Sequence, residues 1–173
     1  MRLFRRADPA SVSWNGVKTL AQIALFWGFF LFYLPPQLVQ ATASLLPPLG
    51  AVPPRWCIAG LFAVASAVGL WSAWTMVVQG RGTPLPLDTA RELVVGGPYR
   101  WVRNPMAVAG VGQGVAVALW WSSGVLLGFF VLGGVAWHII VRPMEERDLL
   151  ERFGVSYERY RTTTGLWWPR RAA

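Results

Sequence analysis

The sequence predicts an all-α integral membrane protein of about four transmembrane helices, closed by a C-terminal amphipathic helical cap on the cytoplasmic side. Three observations carry that prediction. Hydrophobic residues make up 54% of the 173-residue chain and charged residues only 14%, where a soluble domain carries roughly a quarter. The apolar residues fall into four runs of the kind that crosses a hydrocarbon core of about 30 Å, which takes about 20 residues. Between Pro9 and Leu87 no acidic residue occurs, and only Lys18, Arg55 and Arg81 are basic.

The first run extends from about Val17 to Leu34. Arg2, Arg5 and Arg6 precede it like the basic end of a signal peptide. The apolar stretch is too long for that role, however, and no small-x-small site precedes Pro35-Pro36, so a retained first span is expected. The loop from Pro35 to Pro54 holds three proline pairs, each of which blocks helix continuation. A short interfacial helix on the outer face, with a packing role, is expected between them. The second run covers about Trp56 to Val78. The third, about Met106 to Trp121, is short and carries Gly110, Gly112 and Gly114. The fourth covers about Val125 to Val141, and Ser122-Ser123-Gly124 reads as the tight turn of a hairpin joining the last two.

The tail from Arg142 to Arg171 differs in kind. Pro143 suits a first helical turn, and Glu145, Glu146 and Asp148 suit a positive helix N-terminus. Leu149, Phe153, Tyr157 and Tyr160 form one apolar stripe, with Gly154 allowing a bend. Trp167-Trp168 followed by Pro169-Arg170-Arg171 suits the headgroup layer. Residues 1–173 thus read as a single membrane domain.

Orientation follows from lysine and arginine. With four spans, fifteen of the 16 basic residues lie on one side, leaving only Arg55 on the other. Both termini are therefore expected in the cytoplasm, in a bacterial inner membrane. The net charge of +8 follows from this arrangement and from attraction to anionic lipid. No basic stripe interleaved with aromatics suggests nucleic acid. Cys57 is the only cysteine and His138 the only histidine, which argues against a disulfide and against a metal site.

The densest polar cluster is Gly97-Pro98-Tyr99-Arg100-Trp101-Val102-Arg103-Asn104-Pro105 before the hairpin, with Glu145-Glu146 after it. Charge beside hydrocarbon is costly, so such a cluster is a functional-site candidate. A structural reading stands beside it. Arg100 and Arg103 serve as positive-inside anchors, Asn104 as an N-cap with Pro105 at the first helical position, and the glutamates as helix-terminus carboxylates. His138 lies two helical turns before Glu145 and shares its face, which suits either a structural partner or the site.

Gly97-Pro98-Tyr99-(x)3-Arg103-Asn104-Pro105, the hairpin, and then Glu145-Glu146-(x)3-Leu150-(x)2-Phe153-Gly154-(x)2-Tyr157-(x)2-Tyr160 resemble the isoprenylcysteine carboxyl methyltransferase family. That family sits in a wider group of integral membrane methyltransferases that includes phospholipid N-methyltransferases. Gly80-Arg81-Gly82-Thr83-Pro84-Leu85-Pro86 and Trp168-Pro169 are similar to its bacterial branch. The resemblance covers roughly residues 78 to 170. It departs at Asn104, where the common pattern has His, and at Ala107, where it has Tyr.

The resemblance implies S-adenosylmethionine as methyl donor, bound between the Arg-x-Pro loop and the Glu-Glu tail, and a lipophilic acceptor from the bilayer. It implies a catalytic set of Arg103, Asn104, His138 and Glu146. The donor would be held by Tyr99, Arg103, Asn104, Pro105, His138, Glu145, Glu146, Phe153 and Tyr157, with no metal. Arg103 is the first candidate for the donor's carboxylate, and Glu145, Glu146 and Asn104 for its ammonium and ribose hydroxyls. Tyr99, Phe153 and Tyr157 are candidates for its adenine. A carboxylate acceptor needs only an orienting arginine such as Arg100 or Arg142, whereas an amine needs a base such as His138 or a glutamate. Two other readings are an NADPH-dependent membrane reductase of the sterol-reductase type and a non-catalytic four-span protein. The chain lacks the reductases' length, and no carboxylate of the kind a small exporter needs lies within a span.

Overall fold

The computed structural model describes residues 7–44, 46–84 and 88–170. Arg2, Arg5, Arg6, Leu85, Pro86 and Arg171 lie outside the described residues. Helix α1 (Val12–Trp27) starts at Ser11, whose hydroxyl accepts the Trp14 N–H at 3.1 Å. It runs without interruption through a π-helical turn, Gly28–Tyr33, into α2 (Leu34–Thr42). Pro35 and Pro36 therefore do not end the helix, contrary to the sequence expectation. A proline breaks an α-helix because its ring meets the carbonyl four residues back and its own N–H is missing. Here the turn before the prolines is widened, the Leu34 N–H bonding to the Phe29 carbonyl five residues back. The expected interfacial helix is thus the last turns of the first rod. The described residues between 43 and 54 are non-helical and dock on the hairpin turn, where the Leu49 N–H meets the Ser122 carbonyl at 2.7 Å.

Helix α3 (Arg55–Gly80) ends with Arg81 in the left-handed conformation. The following loop folds back on the end of α3, the Gly80 carbonyl accepting the Arg91 N–H at 2.6 Å. A 3₁₀ turn (Gly97–Arg100) leads to α4 (Pro105–Trp120), with Asn104 as N-cap accepting the Ala107 N–H at 3.0 Å. Ser122, at φ 50°, and the cap Ser123 form the expected tight turn into α5 (Gly124–Ala136). A second π-helical turn, Trp137–Val141, carries α5 directly into α6 (Arg142–Thr163), which kinks at Gly154. Beyond Thr163 the described chain is non-helical.

The chain is an integral membrane protein. Val12–Thr42, Arg55–Gly80 and Gly124–Thr163 are long and apolar enough to cross a bilayer, while α4 is a shorter apolar helix of 16 residues. The apolar part of the third of these ends at Val141. Five charged residues follow between Arg142 and Asp148, placing α6 outside the hydrocarbon.

In lipid, helices associate through close packing and interhelical hydrogen bonds rather than through the hydrophobic effect. Helices α3 and α4 form the central pair. A Cβ added at Gly69 would lie 3.4 Å from that of Ala109, and one at Gly112 would lie 3.2 Å from that of Ala65. Within this seam Gln113 donates to the Ser66 hydroxyl at 2.9 Å. Helix α1 packs on α3, α5 on α4, and α2 on α5.

Gly97 sits where the loop turns toward α4, at φ +54°, and an added Cβ would meet the Thr75 hydroxyl at 2.5 Å. Left-handed backbone costs a non-glycine residue about 1–2 kcal/mol before any clash. Gly97→Ala is expected to destabilise the protein by about 2 kcal/mol or more, read as a lowered unfolding midpoint in detergent. Gly60→Ala, with nothing within 4 Å of its new Cβ, is expected to leave that midpoint unchanged or slightly raised.

Candidate active site

The hairpin brings the two halves of the polar cluster together, because α4 leaves the loop at Asn104 and α5 returns its continuation to the same end. Arg103 then meets Glu146 at 2.7 Å, and Arg142 lies 3.6 Å from the same Glu146 oxygen. Asn104 donates through Nδ2 to Glu145 at 3.4 Å while its Oδ1 caps α4. The Arg103 backbone N–H donates to the Gly165 carbonyl at 2.8 Å, tying the loop to the tail after α6. The Tyr160 hydroxyl donates to the Tyr99 carbonyl at 2.6 Å, a second tie between α6 and the loop.

These residues form the polar end of a cavity of about 640 Å³. Tyr99, Arg103, Asn104, Arg142, Glu145, Glu146 and Tyr160 line that end. The cavity continues along α4 past Met106 and Gly110, facing α5 at Gly133 and Gly134 and the aromatic residues Phe26, Trp27 and Phe30 of the first rod. One molecule can thus meet charges at one end and hydrocarbon at the other.

Electrostatics at the polar end follow from burial. Glu145 is pushed up to about 7 by burial, with like-charge repulsion from Glu146 and Asp148 adding to it. Tyr157 is pushed up to about 12 by burial and by Glu146, against the opposing effect of the nearby Arg103 guanidinium. Burial also raises Tyr99, with Glu145 contributing, and Tyr160, with Tyr157 contributing. These phenols are hydroxyl donors and acceptors at neutral pH and do not act as bases. The Arg103 Nε–H is buried and has no partner among the described residues. An orphaned donor of a charged group is costly to bury, and a ligand oxygen would satisfy it.

Other residues expected at the site stand apart from the cavity wall. Pro105 is buried on the α3 side of α4, against a separate small apolar hollow with Trp71 and Trp101. The His138 ring does not line the cavity; its Nδ1 accepts the Trp167 indole N–H at 3.1 Å, and Trp167 is itself part of the wall. Phe153 packs beneath the Arg152 guanidinium, 5.0 Å from ring centre to carbon. Tyr157 is buried behind Arg103 rather than in the wall. Of the apolar stripe on α6, Leu149 and Tyr160 line the cavity and Phe153 does not.

Sequence reasoning missed a third wall. Thr83, Glu92 and Leu93 of the loop after α3 line the cavity, as does Arg152. Arg152 donates to the Thr89 hydroxyl at 2.9 Å and to the Ala90 carbonyl, and pairs with Asp148 at 2.9 Å, clasping that loop to α6. No local pattern signals these contacts. Gln113, also in the wall, did carry a signal, since an amide within an apolar span is rare. Among the described residues no group of three His, Cys, Asp or Glu could hold a metal ion.

A family model described as phospholipid methyltransferase matches residues 55–156, more than half of the chain, from the start of α3 through about two-thirds of α6. The matched stretch contains both halves of the polar cluster. No curated protein matches.

Burial of Glu145 makes a pH dependence. A carboxyl raised in the folded state holds its proton more tightly than in the unfolded chain, so its stabilising contribution is full below about 4.5 and lost as pH rises through about 7. Between pH 5 and 8 the wild type is expected to lose on the order of 2 kcal/mol relative to Glu145→Gln. Unfolding midpoints of the two proteins across that range check the sign. A wild type that gains stability with rising pH relative to the variant would contradict the burial of Glu145.

Proposed function

The chain belongs to the phospholipid methyltransferase family, and we propose that it transfers a methyl group from S-adenosylmethionine to a lipophilic acceptor drawn from the bilayer. The observation that carries this reading is the two-ended cavity, with Arg103, Asn104, Glu145 and Glu146 at one end and an aromatic, glycine-lined arm at the other. The excess of lysine and arginine on that side supports a cytoplasmic location for the polar end, where the donor is available.

The polar residues fit the donor's chemistry. Among the described residues the buried Arg103 Nε–H lacks an acceptor, which the donor's carboxylate would supply. Glu145, Glu146 and the Asn104 amide are acceptors for an ammonium and for hydroxyls, and Tyr99 and Trp167 offer walls to an adenine. S-adenosylmethionine, when bound, supplies a methyl group on a sulfonium, which departs as a neutral thioether. Gripping that positive charge tightly would favour the ground state, so the protein gains mainly by positioning and by excluding water. The short Ala107 side chain, standing in the cavity wall at the first turn of α4, leaves room for an acceptor group beside Asn104.

The charge pattern favours an amine over a carboxylate acceptor. Each arginine lining the cavity is already engaged, Arg103 and Arg142 with Glu146 and Arg152 with Asp148. Glu145 has no cation within ion-pair distance among the described residues and receives only the Asn104 amide. Its carboxyl, pushed up to about 7, suits it to accept the proton that an ammonium acceptor must lose.

Calorimetric titration of the purified protein with S-adenosylmethionine and S-adenosylhomocysteine tests the donor site, with NADPH as control. Saturable binding of the two sulfur ligands and none of NADPH is expected. Glu146→Ala and Arg103→Ala should each weaken it by tenfold or more, since the first leaves the Arg103 charge buried and unpaired and the second removes the cation that would meet the donor's carboxylate. Arg55→Ala, whose side chain stacks on Trp120 at the far end of α4, should leave it unchanged. Equal losses in all three variants would contradict the assignment.

A further inference from the structure

The proposed function leaves open what limits the acceptor's apolar part. We propose that the cavity's apolar arm is a length gauge for the acceptor's chain, closed at its deep end by Phe130 braced against Gly114. This rests on the acceptor occupying that arm, as proposed above.

Two close approaches fix the register of α4 against α5. A Cβ added at Gly134 would lie 3.0 Å from the Val111 side chain, and one at Gly114 would lie 2.4 Å from the Phe130 ring. Moving inward from Asn104, the wall is built by Met106, Gly110 and Gln113 on α4, opposite Trp137, Gly134 and Phe130. Among the described residues, none of α4 beyond Gln113 and none of α5 before Phe129 lines the cavity. The arm therefore ends at that level.

The end is built of side chains packed against one another. The Phe130 ring already rests on the Gly114 backbone, where only glycine leaves room for it. Phe129 stands edge-on to it at 5.3 Å between ring centres. Beside them the Gln113 amide is held by Ser66 at 2.9 Å. On the facing rod Phe30 is stacked on Phe26 at 6.1 Å.

The depth translates into a chain length. Gly114 lies ten helical steps beyond Asn104, about 15 Å at 1.5 Å per residue. An extended chain advances about 1.2 Å per bond, from 3.3–3.6 Å for the three bonds of one residue. The arm thus holds about twelve bonds. A longer chain must overpack the floor or fold out of the arm, and overpacking of this kind corresponds to roughly tenfold or more in binding.

The test measures methyl transfer from labelled S-adenosylmethionine to straight-chain primary amines of 8 to 18 carbons by the full chain in membranes, with S-adenosylhomocysteine affinity measured on each variant. In the wild type, transfer should peak near 12 carbons and fall about tenfold by 16. Phe130→Ala should bring the 16-carbon amine back to within about threefold of the best. Gly114→Ala, which forces the ring into the arm, should move the peak below 12. Phe130→Leu is the milder second variant and should give an intermediate shift. S-adenosylhomocysteine affinity should stay within twofold throughout. The same chain-length profile in wild type, Phe130→Ala and Phe130→Leu overturns the gauge alone. A wild type that binds S-adenosylhomocysteine but methylates no amine overturns the acceptor reading and the gauge with it. Failure to bind S-adenosylhomocysteine overturns the donor reading.

Discussion

Arg103 is held from two sides, and the rest of the site depends on it. Its guanidinium meets Glu146 on α6 at 2.7 Å, and its backbone N–H meets Gly165 in the tail at 2.8 Å. Both side chains are largely buried, at 12% and 18% exposure. Removing two charges from water is expensive, and their attraction offsets that cost only when the geometry is good and further hydrogen bonds satisfy the groups. Tyr157 behind the guanidinium and Arg142 beside Glu146 supply part of that support. The buried Nε–H, without a partner among the described residues, remains to be satisfied.

The pair also closes the architecture. Loop, hairpin and α6 form a ring in sequence, and Arg103–Glu146 joins its ends. Around that closure the polar end gathers carboxylates and arginines at the edge of the hydrocarbon. The arm beyond it is lined by glycines and aromatics, which leave space and a smooth apolar wall. Chemistry that joins a polar, charged donor to a lipid needs both environments in one continuous cavity, with water excluded between them. Arg152, by clasping the loop after α3 to α6, completes the wall on the side the ion pair does not reach.

Much of this was legible in the residues. The hairpin turn at Ser122-Ser123-Gly124 and the N-cap at Asn104 are local patterns with local causes, and they stand where the sequence put them. The meeting of Arg103 with Glu146 was legible because the hairpin that separates them must return the chain to the same end. What the sequence concealed depends on contacts between distant segments. The π-helical turn that carries the first rod over Pro35-Pro36 has no signature in residue type alone. His138 shares a helical face with Glu145, yet Trp167 holds it by a hydrogen bond outside the cavity wall. Phe153 shares the apolar stripe with Leu149, yet it packs under the Arg152 guanidinium outside the cavity wall. The loop bearing Thr83 and Glu92 joins the wall through the long-range bonds of Arg152.

The most direct measurement of the central claim follows the methyl group itself. Membranes containing the full chain are incubated with S-adenosylmethionine labelled in its methyl group and then extracted with organic solvent. A donor site at the Arg103–Glu146 pair that opens on a lipophilic arm predicts label in the lipid extract, lost in Glu146→Ala. Label that stays in the water phase with the folded wild type, or that enters the lipid equally with Glu146→Ala, would contradict it.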